Sequence, residues 1–183
     1  MLGIRAENDA NDSKVANHGT LNSNGFAVGK VSQAFDLNNT TGITVTDNAA
    51  FNQQSVTLEG WITAQLYSCS GCAQFIAAKS GSNGTFGYEL GTHVGGSLRF
   101  TINGAAGGAD LFSASNVADG NFHHVGATFD GATMKVYVDG VLSAQTSIMT
   151  TINYEASSPF VIGSRQRQTD TNPYNGLIDE VSF

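Results

Sequence analysis

The closing stretch "NGLIDEVSF", residues 175–183, sets a carboxylate among apolar side chains. Counted by twos, Leu177, Asp179, Val181 and Phe183 share one face of a strand, and that face is apolar except for Asp179. An ionised carboxylate removed from water costs several kcal/mol unless it is paired, hydrogen-bonded or bound to a metal. The sequence offers more than one partner. The N-terminal stretch "AENDANDSKVANHGT" carries Glu7, Asn8, Asp9, Asn11, Asp12 and Asn17, and calcium takes about six to eight oxygens of this kind. Arg5 and Lys30 are bases that could pair with the acid instead, and turn amides could donate to it. Both solutions are open at this point.

The two cysteines form "CSGC", Cys69 to Cys72. A zinc site needs two further ligands at close spacing, and His18, His93, His123 and His124 supply no HxxxH and no second CxxC. A thioredoxin-type motif should open a helix, and no helical pattern follows. The spacing therefore favours a short disulfide between Cys69 and Cys72 over free thiols or over metal or redox chemistry. Hydrolysis of a glycosidic bond with retention requires two carboxyls about 5 Å apart. Asp179 and Glu180 are adjacent and point to opposite faces, and "TLEGW" offers only Glu59. His123 and His124 open a strand, where a structural role is expected. With no GxSxG, HExxH or phosphate-binding glycine loop, no catalytic residue is assigned and the chain is expected not to be an enzyme.

The elements that carry these residues are strands. Apolar stretches are short, alternating and punctuated by Gly, Asn or Asp, and none sustains a 3.6-residue period. "VTLEGWITAQ", "QFIAAK", "FGYELGT" and "SLRFTIN" read as successive antiparallel strands. "FHHVGATFDGATMKVYVDGVLSAQTS" reads as a three-stranded meander turning at Asp130-Gly131 and Asp139-Gly140. "QAFDLNN", "GITVTD", "PFVIGS" and "LIDEVSF" add four more. About ten or more strands with tight turns predict an all-β, two-sheet antiparallel β-sandwich or jelly roll. Trp61 is expected to fill space between the sheets.

The 183 residues suit one domain, residues 1–183, and no apolar run is long enough to span a bilayer. A net charge of −7, with no Lys/Arg cluster, makes nucleic acid and anionic membranes poor partners. The N-terminus shows no apolar leader, so a secretory signal is expected to have been removed or to lie outside this chain.

The order "AENDANDSKVANHGTL", "GKVSQAFDL", "LEGWI", "AAKSG", "SLRFTI", "NFHHVGATFDGATMKVYVDG", "VIGS" and "YNGLIDEVSF" resembles the LamG-like jelly-roll domains of the concanavalin A-like lectin/glucanase superfamily, nearly end to end. The resemblance implies first and last strands side by side, with a structural calcium between the N-terminal segment and the "IDEV" strand. It points to Asp12 and Asp179 as side-chain ligands, with Asn17 and the backbone near Gly19 as further candidates. It also implies a module excised from a larger extracellular or cell-surface protein.

The leading expectation is a non-catalytic carbohydrate-binding module for a glycan or polysaccharide. The alternative is an adhesion or spacer domain that binds protein or no ligand. Stacking and hydroxyl recognition call for exposed aromatics and planar polar groups on a sheet face or rim. The candidates are Tyr67, Tyr88, Arg99 and the late segment "SRQRQTDTNPYN", with Arg165, Arg167, Asn172 and Tyr174.

Overall fold

The computed structural model describes residues 2–14, 17–22, 25–37, 42–67, 73–82, 84–165 and 174–183. Among them the chain forms β1 (Gly3–Ile4), β2 (Gly19–Leu21), β3 (Gly25–Val28), β4 (Gln33–Asp36), β5 (Ile43–Val45), β6 (Val56–Ala64), β7 (Ala73–Ser80) and β8 (Gly87–His93). There follow β9 (Ser97–Gly104), β10 (Gly107–Asn116), β11 (His123–Phe129), β12 (Thr133–Val138), β13 (Val141–Ser147), β14 (Phe160–Ile162) and β15 (Gly176–Ser182). A single 3₁₀ turn, Ala49–Phe51, interrupts them. No helix among the described residues is long and apolar enough to cross a membrane.

Two antiparallel sheets result, which makes the fold the expected β-sandwich. One runs β13-β12-β11-β6-β15-β4-β3, with β1 added on β15, and the other runs β10-β9-β8-β7-β14-β5-β2. The meander forms as its turns require: Gly131, Asp139 and Gly140 all adopt positive φ. The first and last strands are neighbours, with Gly3 opposite Ser182 and Ile4 opposite Val181.

Period-two alternation places Leu58, Ile62, Val125, Ala127 and Val136 from one sheet against Ile76, Leu90, Phe100 and Ile162 from the other, all buried. Each of the larger of these side chains contributes about 1.5–3 kcal/mol of burial. The terminal Phe183 stacks on Tyr88 at 5.5 Å and packs beside Phe51 and Phe160. Tyr88 is thus a core residue, fully buried, with its hydroxyl donating to the Phe51 carbonyl at 3.1 Å.

Strict alternation fails at one place in β15. Asp179 pairs with Trp61 and Ser182 with Glu59, so Glu180 and Val181 together face Gly60 across a bulge, and Glu180 takes φ 51°. The bulge reverses the facing. Asp179 shares the outer face with Trp61, whereas Val181 turns inward onto the core beyond it. A side chain at Gly60 would press within 3.3 Å of the Asp179 carbonyl, which is why a glycine sits beside the bulge. Trp61 does not lie between the sheets: in β6 the buried positions are Val56, Leu58, Gly60, Ile62 and Ala64, and the indole is outward and partly exposed.

Candidate functional site

The outer face of the seven-stranded sheet gathers most of the polar candidates. Strand register sets two rows across it: Phe75, Gly91, Arg99 and Phe112 in one, and Ala78, Glu89, Thr101 and Asp110 in the next. Gly91 forms the floor between Phe75 and Arg99; a Cβ there would meet the Gln74 carbonyl at 2.4 Å.

Arg165, just after β14, reaches over this floor. Its guanidinium lies 4.3 Å from the Phe75 ring centroid, and Nη1 donates to both Glu89 oxygens at 3.1 and 3.2 Å. Stacking on an aromatic face while gripping a carboxylate is the use for which a planar guanidinium is suited. On the next strand Arg99 Nη2 donates to Asp110 Oδ2 at 3.0 Å, and Thr101 Oγ1 donates to Asp110 Oδ1 at 2.6 Å. Arg99 Nε is buried with no hydrogen-bond partner, so one donor of the network is unspent. Burial lifts the Glu89 carboxyl above its usual pKa, and Arg165 first, then Arg99 and Ser80, draw it part of the way back.

Tyr67 stands at the edge of the same group. Its hydroxyl donates to the Thr92 carbonyl at 2.8 Å; burial raises its pKa, and the nearby Arg99 charge opposes the rise. Of the residues named from the sequence, Arg165 grips Glu89, and Arg99 lies close enough for its charge to act on both Glu89 and Tyr67; the three come from separate segments. Sequence reasoning missed Glu89, Thr101, Asp110 and Phe75. Their signal was present as the polar or outward positions of alternating strands, but only the register shows that they share a row.

The other candidates part from this group. Tyr88 is in the core, and Tyr174 is fully buried with its hydroxyl donating to the Thr63 carbonyl at 2.9 Å, so neither ring is offered to a ligand. The Tyr174 hydroxyl thereby fills an acceptor near the end of β6, just ahead of β15. Arg167, Asn172, Cys69 and Cys72 lie outside the described residues. His123 is a pin rather than a reactive base: Nδ1 is 2.8 Å from Asp139 Oδ2 and Nε2 is 3.2 Å from Asp119 Oδ1.

Asp12 and Asp179, the expected side-chain ligands of a calcium ion, lie on opposite sides of β1. Asp12 bridges Ile4 on the edge of β1 away from β15, and Asp179 lies in β15, so β1 stands between them. Asp12 Oδ1 accepts from the Gly3 and Lys14 amides at 3.1 and 2.9 Å. Asn17 Oδ1 accepts from Asn48, and the Gly19 amide donates to the Ala10 carbonyl. Short local turns hold Asp12 Oδ1, while Asp12 Oδ2 is buried with no hydrogen-bond partner.

Asp179 itself is fully buried beneath the β3–β4 turn, where Oδ2 accepts from the Val31 amide at 2.9 Å and Oδ1 has no partner. Burial raises its pKa, amides of the turn oppose this, and Glu7 raises it further. Glu180 is likewise raised by burial and by Asp179 and Glu7, against Arg5. An unpartnered buried oxygen among crowded acids fits a hard cation. Among the described residues no three metal-ligating side chains close on one point, so an ion there would also draw on backbone carbonyls and water.

Comparison with known proteins agrees with this architecture. Residues 37–183 match a laminin G profile of the "Concanavalin A-like lectin/glucanases superfamily". No curated protein is significantly similar in sequence. Domain 4 of AbnA, an extracellular arabinanase from Geobacillus stearothermophilus solved with arabinotriose, superposes with TM-score 0.74 at 19% identity, covering 99% of this chain and 92% of that one. The binding domain of Paraclostridial Mosquitocidal Protein 1 superposes with TM-score 0.76 at 14% identity, covering 98% of this chain and 47% of that one. The CBM40 of the Ruminococcus gnavus IT-sialidase gives TM-score 0.64 at 14% identity, over 81% of this chain and 88% of its own. The chain thus spans about half the length of the mosquitocidal binding domain and nearly all of the arabinanase domain.

Proposed function

Since the chain belongs to the concanavalin A-like lectin/glucanase superfamily, we propose that it is a non-catalytic carbohydrate-binding module of an extracellular or cell-surface protein, with its glycan on the outer face of the seven-stranded sheet. The observation that carries this reading is the grip of Arg165 on the buried Glu89, with the partly exposed Arg99–Asp110 pair beside it and Tyr67 at the edge near Arg99. Planar guanidinium and carboxylate groups recognise vicinal hydroxyls, and the partly exposed Arg99–Asp110 pair presents both at this face. Arg167 and Asn172, in the segment that follows Arg165, belong to the same proposal.

The arrangement favours binding over hydrolysis. Thr101 stands between Glu89 and Asp110, so their backbones lie two strand spacings of about 4.8 Å each apart, and each carboxylate is held by its own arginine. An inverting pair needs one carboxyl free to deliver a proton, yet Glu89 accepts twice from Arg165 and Asp110 accepts from Arg99 and Thr101. A calcium ion at Asp179, with Glu7 as a second carboxylate, is part of the proposal; it would hold the β3–β4 turn and the N-terminal segment onto β15.

A glycan array tests the reading. Retention of one family of glycans, lost in Arg99→Ala and in Tyr67→Ala at unchanged fold, is the expected result. A blank array refutes it in favour of an adhesion or spacer domain.

A further inference from the structure

The opposite side of the sandwich carries a second constellation. On the outer face of the eight-stranded sheet, register places Trp61 beside His124, then Glu59, Gly126 and Tyr137 in one row, then Thr57, Thr128 and Lys135 in the next. Gly126 is the centre of this grid, and every neighbour around it carries a side chain. The result is a recess of about 250 Å³ walled by Glu59, His124, Thr128 and Tyr137.

Nothing in the packing calls for a glycine there. A Cβ at Gly126 would have its nearest contacts at 3.8 and 3.9 Å, which is ordinary van der Waals distance, and its φ is not in the left-handed region. Glycine in mid-strand weakens a sheet, and such a residue often marks close approach by a ligand.

We propose that this recess is a second binding site, taking one neutral sugar ring. Tyr137 lines the recess with an aromatic ring suited to the C–H side of such a ring, while Glu59 supplies an acceptor and His124, Thr57 and Thr128 supply polar groups around it. The volume is below the roughly 300 Å³ at which drug-sized ligand pockets begin, which suits a single ring. Glu59 and the nearby Asp139, in a chain of net charge −7, disfavour an anion. Lys30, 4.6 Å from the Trp61 ring centroid, and Lys135 flank the recess and disfavour an organic cation. The inference rests on the glycan-binding reading for its ligand class, and it makes the module bivalent, with one site on each sheet.

Trp61 provides the readout, because it is the one tryptophan of the chain and its ring meets His124 edge-on at 5.2 Å. The whole chain is titrated with the methyl glycosides of glucose, galactose and arabinose while tryptophan emission is followed. A saturable change is expected for at least one of them. Gly126→Val, which fills the recess, should abolish it; Glu59→Gln and Tyr137→Leu should each weaken the apparent affinity tenfold or more; and Arg99→Ala on the far face should leave it intact. Circular dichroism and thermal melts confirm that each variant is folded. No saturable response to any glycoside, an equal affinity in folded Gly126→Val, or a response to choline alone overturns the inference. A glycan array that depends on Arg99 with no Trp61 response refutes only this second site, and a Trp61 response with a blank array refutes only the first.

Discussion

Asp179 stands directly opposite Trp61 in the ladder between β15 and β6, on the outer side of its sheet, yet it is fully buried because the turn around Val31 folds over it. The acid is hidden by a loop rather than by the core. Saturating calcium at about 100 times its dissociation constant should add about 2.7 kcal/mol, or about 5–10 °C in melting temperature for a chain of this size. EDTA should remove that increment from the wild type, and Asp179→Asn should show no increment to remove. Asp12→Asn, whose carboxylate caps the Gly3 and Lys14 amides on the other edge of β1, should be destabilised yet keep its calcium response. A wild-type melt indifferent to chelator, with no metal found by elemental analysis, would dismiss the ion.

The His123 pin gives a pH dependence with a definite sign. Burial lowers the His123 pKa, but hydrogen bonds and charge from Asp139 and Asp119 outweigh this and leave it raised. Its contribution is complete below the unfolded-state value of about 6.5 and disappears as pH rises through the higher folded-state value. Asp139 and Asp119 are held low, so their share is lost only on the far acid side. With half-exposed partners the effect should be below about 1 kcal/mol. Melts from mildly acid to alkaline pH should fall in the wild type across the histidine window and run flatter in His123→Gln; identical profiles would contradict the pin.

The sandwich was legible because alternation and Asp-Gly turns are local signals, and the structure keeps the turns at Asp130-Gly131 and Asp139-Gly140 where the sequence puts them. Facing was less legible where a bulge intervenes. Counting by twos through Glu180 set Asp179 on the core side with Val181, and the extra residue leaves Val181 inward but turns Asp179 to the outer face. Trp61 misled for a related reason: a large ring in an alternating strand suits either face, and only neighbours such as Ile62 and Leu58 show which is inward. Of the ligand candidates, Tyr67, Arg99 and Arg165 were chosen by type alone, and the structure sets Arg99 near both Tyr67 and the Glu89 that Arg165 grips. Glu89 and Asp110 were not chosen, since their partners lie on other strands and no local spacing announces a row across a sheet.

Lys79 is buried in the sandwich with Nζ 2.7 Å from Asp47 Oδ1, and it also donates to the Ser158 carbonyl. Deleting the cation strands a carboxylate and a carbonyl and opens a cavity. Lys79→Ala should cost about 3 kcal/mol, and Lys79→Met, which keeps most of the volume, should cost less. Urea midpoints at constant slope measure both. Equal stability of Lys79→Ala and wild type would mean that water replaces the ammonium without penalty.

For Cys69 and Cys72 the expectation from spacing is a disulfide in protein made in an oxidising compartment. Mass measurement after alkylation without reduction should find no modified thiol. Two alkylated thiols would refute it. Because the closed ring is short, reduction should shift the global melt little.

Tyr88 and Tyr174 separate the demands of folding from those of binding. Both are fully buried, and their hydroxyls donate to the Phe51 and Thr63 carbonyls. Removing either hydroxyl leaves a buried acceptor unsatisfied, at a cost of about 1–3 kcal/mol. Tyr88→Phe and Tyr174→Phe should therefore melt earlier and yet retain any glycan that the wild type retains. Tyr67 lies at the edge of the Arg99 and Glu89 group, and Tyr67→Phe removes a hydroxyl that bonds the Thr92 carbonyl beside that group. It should weaken glycan retention more than it lowers the melting temperature. If retention instead follows stability across all three variants, the tyrosines act only through the fold, and the ligand does not touch the Tyr67 side of the seven-stranded sheet.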